Sequence, residues 1–145
     1  MTSPNFGWLF WALLSAGFAA LTAIFAKVGV DAINSNFATF LRTLVILAMI
    51  AGIVGATGQA QPLGSISPRS YIFLTLSGLA TGASWLCYFR ALQLGEAARV
   101  APIDKLSTVL VAIFGVAFLG ERLTGPNWLG IVLIAAGATL VALRF

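Results

Sequence analysis

Charged side chains are scarce in this chain of 145 residues. Only 8% of the residues are Asp, Glu, Lys or Arg, whereas 60% are hydrophobic. An average soluble domain carries roughly a quarter charged residues, which keep its surface polar. Eight basic and four acidic side chains cannot provide such a surface. The composition therefore predicts a protein whose surface faces lipid.

Histidine is absent, and cysteine occurs once, at Cys87. The lack of histidine removes the commonest metal ligand and the usual proton shuttle. The single cysteine cannot form an internal disulfide, and its apolar neighbours predict a small buried hydrophobic residue. The sequence also lacks a set of nucleophile, base and orienting residue, and it has no Gly-rich phosphate-binding loop. We therefore expect no enzyme, no metal site and no cofactor.

The net charge of +4 and the isoelectric point near 10 need a different explanation from nucleic-acid binding. The basic residues are scattered singly, and none forms a stripe that could follow phosphates. Lys and Arg near helix ends anchor those ends at lipid headgroups. The predicted partner is the lipid bilayer, and no nucleic-acid partner is expected.

Long apolar runs dominate what is present. About 20 residues of helix cross the hydrocarbon core, and the unbroken runs lack the alternation of membrane strands. No basic residue precedes Lys27, so the first run is predicted to be a permanent span and not a signal peptide. The fold class is predicted to be all-α, a polytopic membrane helix bundle in a single domain over residues 1–145. The predicted spans are 8–30, 36–56, 70–94, 100–119 and 127–143, with Pro102 in the first turn of the fourth.

An odd number of spans places the two termini on opposite sides of the membrane. The cations on the N-terminal side are Arg69 and Arg122, and those on the C-terminal side are Lys27, Arg42, Arg90, Arg99, Lys105 and Arg144. The positive-inside rule then predicts a cytoplasmic C-terminus, although Arg42 and Lys105 lie within spans and count for less.

Small residues recur within the spans, as in the Gly78–Gly82 pair of the third and the Gly130–Gly137 pair of the fifth. Such positions let helices approach closely in lipid. Packing within one bundle is the favoured use, and packing between subunits, with the fifth helix as the interface, is the alternative.

Ionisable residues inside the membrane are costly, at about 2.5–3.5 kcal/mol at a helix centre, so each needs a partner, an escape route or a function. Arg42 lies about two turns into the second span, and Asp104 and Lys105 lie about one turn into the fourth. Asp104, Ser107 and Thr108 are predicted to share one helical face. Asp104 is either a permanent ion-pair partner of Lys105 and Arg42, which is favoured, or a group that carries protons during transport.

Trp85 and Tyr88 lie in the third span, and Trp85 is far from the interfaces that tryptophan prefers. They form either an aromatic packing stripe or one wall of a substrate site. The predicted candidates for substrate binding or coupling are Lys27, Arg42, Trp85, Tyr88, Asp104 and Lys105. Their positive excess suits a substrate that carries a carboxylate, such as an amino acid or another organic acid. For Lys27 alone, an anchoring role at the headgroups is the competing interpretation.

The stretch from Ala91 to Leu143 contains Ala91-Leu92 before Gly95, then Val100-Ala101-Pro102, Leu119-Gly120-Glu121-Arg122-Leu123-Thr124, and the glycines 130 and 137. This stretch, with Ala26-Lys27 and Arg42 before it, resembles the EamA domain of the drug/metabolite transporter superfamily. Members commonly carry two such domains, whereas this chain has one. The resemblance therefore implies a half-size transporter subunit that works as a homodimer or with a homologous subunit.

Three functions remain open at this point. The first is half of a secondary transporter for small organic metabolites or drugs in a prokaryotic inner membrane. The second, which the resemblance also allows, is a component of a lipid or lipid-linked sugar flippase. The third is a structural membrane subunit without transport activity.

Overall fold

The computed structural model describes residues 7–143, and Arg144, one of the cations used for the predicted orientation, lies outside them. Six helices follow one another: α1 (Gly7–Val30), α2 (Ser35–Thr57), α3 (Pro68–Leu94), α4 (Ala97–Asp104), α5 (Ser107–Leu119) and α6 (Gly125–Ala142). A short 3₁₀ turn covers Leu63–Ser65, and residues 7–143 contain no strand. The predicted all-α fold class is confirmed.

Five helical segments are long and apolar enough to span a bilayer, because α4 and α5 together form the segment Ala97–Leu119. Their bounds differ from the predicted spans by only a few residues, which is the ordinary uncertainty of a helix end. The chain is therefore an integral membrane protein with five candidate spans. The single transmembrane domain predicted over residues 1–145 stays a prediction.

The fourth span departs from the prediction because it is interrupted. It begins at Ala97 and not at Val100, so that Pro102 lies inside α4 and not in its first turn. After Asp104 the backbone tightens, and the amides of Leu106, Thr108 and Val109 each donate to the carbonyl three residues earlier. Such i→i+3 bonds define a 3₁₀ turn between two α-helices. The helix is thus interrupted within the stretch of Asp104, Ser107 and Thr108, and the face that these residues were predicted to share stays a prediction.

Local side-chain bonds set several helix ends. The Asn34 Oδ1 atom accepts hydrogen bonds from the amides of Asn36 at 2.9 Å and Phe37 at 3.4 Å, which caps the start of α2. At the other end of α2, Gly58 takes a left-handed conformation with φ 65°, which glycine adopts without strain. The Ser67 hydroxyl accepts from the Ser70 amide at 3.1 Å at the start of α3. Cap residues encoded locally in the sequence thus determine where these helices begin and end.

The chain forms two compact units. One is Ala26–Gln93, which holds the last turn of α1 and almost all of α2 and α3. The segments up to Phe25 and from Leu94 onwards form the other, in which α6 packs against both α4 and α5. Four of the six candidate site residues, Lys27, Arg42, Trp85 and Tyr88, belong to the first unit, and Asp104 and Lys105 belong to the second.

One cysteine and several glycines of the spans have open surroundings. Cys87 is exposed, so its predicted burial is wrong, because α3 turns this residue away from the face that holds Phe89 and Leu92. A Cβ atom added at Gly78, Gly82, Gly130 or Gly137 would meet no atom of a neighbouring element within 4 Å. Packing of these four glycines within one bundle, the favoured prediction, is not tested by this local openness and stays a prediction. Their use between subunits stays a prediction.

Candidate functional site

Buried side chains of the 26–93 unit gather at one end of its helices. Val30 at the end of α1 and Leu92 near the end of α3 are completely buried, and Phe89 is 3% exposed. Ala38 and Thr39 near the start of α2 are also buried. The ends of α1 and α3 and the beginning of α2 therefore lie on the same side of the membrane, as the order of spans predicts.

Lys27 reaches across this end of the unit to the last turn of α3. Its Nζ atom donates to the Leu92 carbonyl oxygen at 2.9 Å and lies 3.3 Å from the Asp31 carboxylate. The last four carbonyls of a helix have no partner within the helix, and a cation there interacts favourably with the helix dipole. Lys27 therefore caps the C-terminus of α3.

Gln93 makes the reciprocal contact from α3 to the end of α1. Its Nε2 atom donates to the Ile33 carbonyl oxygen at 3.1 Å and to that of Val30 at 3.5 Å. The Arg90 Nη1 atom donates to Gln93 Oε1 at 2.8 Å, which orients the amide. We call Lys27 and Gln93, with the carbonyls of Leu92, Val30 and Ile33, the reciprocal clasp. Because all three of its side-chain to backbone bonds join segments 60–65 residues apart in the chain, no local pattern in the sequence predicted it.

Arg42 and Trp85 lie together one to two turns deeper in the same unit. The Arg42 guanidinium carbon is 4.1 Å from the centroid of the Trp85 ring and 5.4 Å from that of Phe89. These distances are within the range of cation–π attraction. Tyr88 is an electrostatic neighbour of Arg42. The structure thus brings together three of the six predicted residues and adds Phe89, which sequence reasoning missed.

Several threonine hydroxyls of the spans bond to their own helices. Thr39, Thr43 and Thr81 each donate to the carbonyl oxygen four residues earlier, at 2.8–2.9 Å. This arrangement satisfies a hydroxyl in lipid without any partner helix. Thr81, which lies one turn before Trp85, therefore contributes a bonded hydroxyl to this region.

Asp104 and Lys105 form an ion pair in the second unit. The Lys105 Nζ atom lies 3.6 Å from Asp104 Oδ2, and the pair sits at the 3₁₀ turn between α4 and α5. A second pair at the start of α4 joins Arg99 to Glu96 at 3.2 Å. Because Arg42 and Asp104 belong to different units, the predicted approach of Arg42 to Asp104 stays a prediction, as does the role of Asp104 in coupling.

Glu121 belongs to the motif between Leu119 and Thr124 and closes the end of α5. Gly120 has φ 70°, and the Glu121 amide donates to the Gly115 carbonyl oxygen at 3.1 Å. The left-handed glycine ends the α-helix, and this bond closes its last turn. The Glu121 carboxylate folds back on the helix, so that a Cβ atom at Gly115 would lie 2.6 Å from Glu121 Oε2. The motif thus ends helix α5.

A metal centre is not indicated by these residues. Within residues 7–143, no group of three or more His, Cys, Asp or Glu side chains could hold a metal ion. The chemistry that the 26–93 unit offers is recognition by one guanidinium and several aromatic rings.

Comparison with known proteins places the chain among transporters. It is 70% identical over 135 residues to an uncharacterized transporter in a cobO 3′ region of Sinorhizobium sp, a match that covers 93% of this chain and 96% of that protein. It is 29% identical over 138 residues to the uncharacterized transporter YxxF of Bacillus subtilis, which covers 94% of this chain but 42% of the relative.

A shorter match, 35% identical over 83 residues, joins 57% of this chain to 19% of the putative nucleotide-sugar transporter YMD8 of Saccharomyces cerevisiae. No solved structure matches the chain significantly. The model of the EamA-like transporter family matches residues 6–143. With that match over nearly the whole length, and with five apolar segments long enough to cross a bilayer, the chain belongs to the EamA-like transporter family.

Proposed function

We propose that this chain is one half of a secondary transporter that moves small organic metabolites or drugs across a prokaryotic inner membrane, and that two copies form the working unit. The observation that carries the proposal is a difference in length. Almost the whole chain, 94%, corresponds to only 42% of the Bacillus subtilis transporter. Two copies of this chain would therefore correspond to most of the length of that relative.

Alternating access gives a physical reason for two copies. Secondary transporters often bind substrate between two structural repeats near the bilayer midplane and rock one repeat against the other. One copy of this chain has a single set of five spans. A second copy, or a homologous subunit, provides the second repeat.

The open glycine faces support an interface between copies. Gly130 and Gly137 lie two turns apart on α6, and neither is covered by another element of the chain. Small residues in lipid are favourable where a helix packs closely. An α6 interface would place these two positions against the partner copy.

Within each half, we propose that Arg42, Trp85 and Tyr88 form the substrate side, while Lys27 closes one end of the helix bundle through the reciprocal clasp. The relatives that carry the word transporter in their names favour this function over a subunit without transport activity. The flippase alternative would need a groove open to lipid with basic residues at headgroup depth, and Arg42 lies inside a span. We further propose that the C-terminus is cytoplasmic.

Purified protein in nanodiscs tests the assembly directly. The mass of the protein in each disc should equal two copies, and a covalent tandem of two copies should keep the transport rate per site of the separate chains. Replacement of Gly130 by Leu should shift the mass toward one copy, whereas the same change at Gly52, an open glycine on α2, serves as the matched control. Single copies that transport at the full rate would contradict the proposal.

Reporter fusions at both termini test the orientation in cells. A C-terminal fusion that is active only outside the cytoplasm would contradict the proposed side. Equal activity on both sides would indicate copies inserted in opposite directions.

A further inference from the structure

Arg42 carries a charge that its own unit leaves without an anionic partner. The only carboxylate between Ala26 and Gln93 is Asp31, and Asp31 lies 3.3 Å from Lys27 Nζ. The three other cations of the unit have different surroundings. Lys27 belongs to the reciprocal clasp, Arg90 bonds to Gln93, and Arg69 lies 5.8 Å from the Phe73 ring in the first turn of α3.

The Trp85 and Phe89 rings stabilise the charge of Arg42 but cannot accept its hydrogen bonds in the plane of the group, and Tyr88, its electrostatic neighbour, offers a single hydroxyl oxygen. The Trp85 ring, at 4.1 Å, and the Phe89 ring, at 5.4 Å, attract the cation through their faces. A guanidinium has five N–H donors that all point outward in its own plane. The ring faces therefore stabilise the positive charge, whereas the N–H donors at the edge of the guanidinium can bind an oxyanion.

The side chains of the 26–93 unit do not enclose this cluster completely. Gly82 is one turn before Trp85 on α3, and a Cβ atom there would meet no atom of a neighbouring element within 4 Å. Arg42 and Trp85 are themselves only partly buried. Within the 26–93 unit, Arg42 and Trp85 therefore keep part of their surface open.

We infer that the transported substrate carries a carboxylate, which binds in bidentate fashion to the Arg42 guanidinium while Trp85 and Phe89 hold that group in orientation. This inference rests on the proposed transport function. Two parallel N–H···O bonds match the planar fork of arginine to the planar carboxylate. One arginine supplies one positive charge, which balances a monocarboxylate, whereas a phosphate monoester dianion would need a second cation. The neutral complex also lowers the electrostatic penalty of both ions at membrane depth.

Fluorescence of Trp85 provides a binding assay. In full-length protein with Trp8, Trp11 and Trp128 replaced by Phe, Trp85 is the only tryptophan. The probes are phenylacetate, its amide phenylacetamide, and phenyl phosphate, with isovalerate and isovaleramide as an aliphatic pair. At least one carboxylate should change the emission at concentrations at least tenfold below those of its amide and of the phosphate. Equal responses to carboxylate and amide, no response to either carboxylate, or a stronger response to phosphate would overturn the inference.

Substitutions separate the geometry of Arg42 from its charge. Arg42→Lys keeps the positive charge but loses the planar fork, and we expect about tenfold weaker binding of the carboxylate. Arg42→Gln should abolish the preference for carboxylate over amide. Arg69→Gln, which removes another arginine that lies near an aromatic ring, should leave binding unchanged. If Arg42→Lys binds as tightly as the parent protein, at unchanged helical content by circular dichroism, bidentate binding is wrong.

Proteoliposomes loaded with the same probes distinguish failure of the carboxylate assignment from failure of the transport function. Efflux of phenylacetamide or phenyl phosphate without phenylacetate would overturn the carboxylate assignment and keep the transport function. Efflux of none of the probes, and of no compound from a loaded mixture of cell metabolites, would overturn transport itself.

Discussion

Replacement of Lys27 by methionine removes one half of the reciprocal clasp and keeps the length of the side chain. The variant loses a hydrogen bond from a charged donor to the Leu92 carbonyl oxygen, which spans 2.9 Å, and such bonds contribute about 1.5–3 kcal/mol. It also loses the ion pair with Asp31, whose side chain is 61% exposed; exposed pairs contribute about 0–1 kcal/mol. We expect the free energy of unfolding to fall by about 2–3 kcal/mol.

Two measurements report this loss. Titration of detergent-solubilised protein with a denaturing detergent, followed by tryptophan fluorescence, gives the shift in stability. Hydrogen exchange gives its location, and faster exchange should be confined to the ends of α1 and α3 and the loop before α2. Arg69→Met, which removes a cation near the start of α3 and outside the clasp, is the matched control and should shift the midpoint by less than half as much.

The same variant decides between the two interpretations of Lys27. In the clasp, Lys27 has a structural function, so that Lys27→Met should weaken carboxylate binding no more than Gln93→Leu does. A variant with unchanged stability and unchanged exchange, but with lost binding of phenylacetate, would refute this reasoning and return Lys27 to the substrate site.

Three further changes test other parts of the structure. Gly115→Ala places a methyl group against the Glu121 carboxylate, the free end of a flexible side chain that can move aside, so that helix propensity should dominate and the free energy of unfolding should rise by about 0.5–1 kcal/mol; a fall that Glu121→Ala in the same chain reverses would contradict this expectation. Asn34→Ala should lower the free energy of unfolding by about 1 kcal/mol, whereas Asn34→Ser should retain most of it, and equal losses in the two variants would exclude a capping role. Asp104→Asn should reduce the thermal midpoint but leave the pH profile of transport in proteoliposomes unchanged, since Asp104 pairs with Lys105; a flat profile in a stable dimer would identify Asp104 as a proton carrier.

The number of spans and their positions could be predicted from the sequence because hydrophobic length is a local property. The length of each apolar run can be compared with the thickness of the bilayer without knowledge of the other helices. The break after Asp104 was missed for a related reason. Nothing in the apolar run from Val100 to Leu119 stops a helix except Pro102, and a proline near the expected start of a span is compatible with an ordinary first turn.

The candidate site could be predicted only in part. Rare residue types at membrane depth identified Arg42 and Trp85, because charge and a buried indole are costly there. Their mutual contact, and the addition of Phe89, depend on the register of α2 against α3, which no spacing along the chain encodes. Lys27 was identified as unusual for the right reason, its charge, but its partner is a backbone carbonyl 65 residues away.

In the reciprocal clasp, side chains supply all the hydrogen-bond donors and the main chain supplies all the acceptors. Its donors are the side chains of Lys27 and Gln93, whereas the acceptors at residues 30, 33 and 92 are peptide oxygens. A substitution changes a side chain but leaves the peptide oxygens in place, so that the acceptor of each of these hydrogen bonds is retained whatever residue stands at its position. Substitutions of the surrounding apolar residues that preserve their volume should leave the connection between the two helix ends intact. The side-chain donors of the clasp depend on two positions only, Lys27 and Gln93.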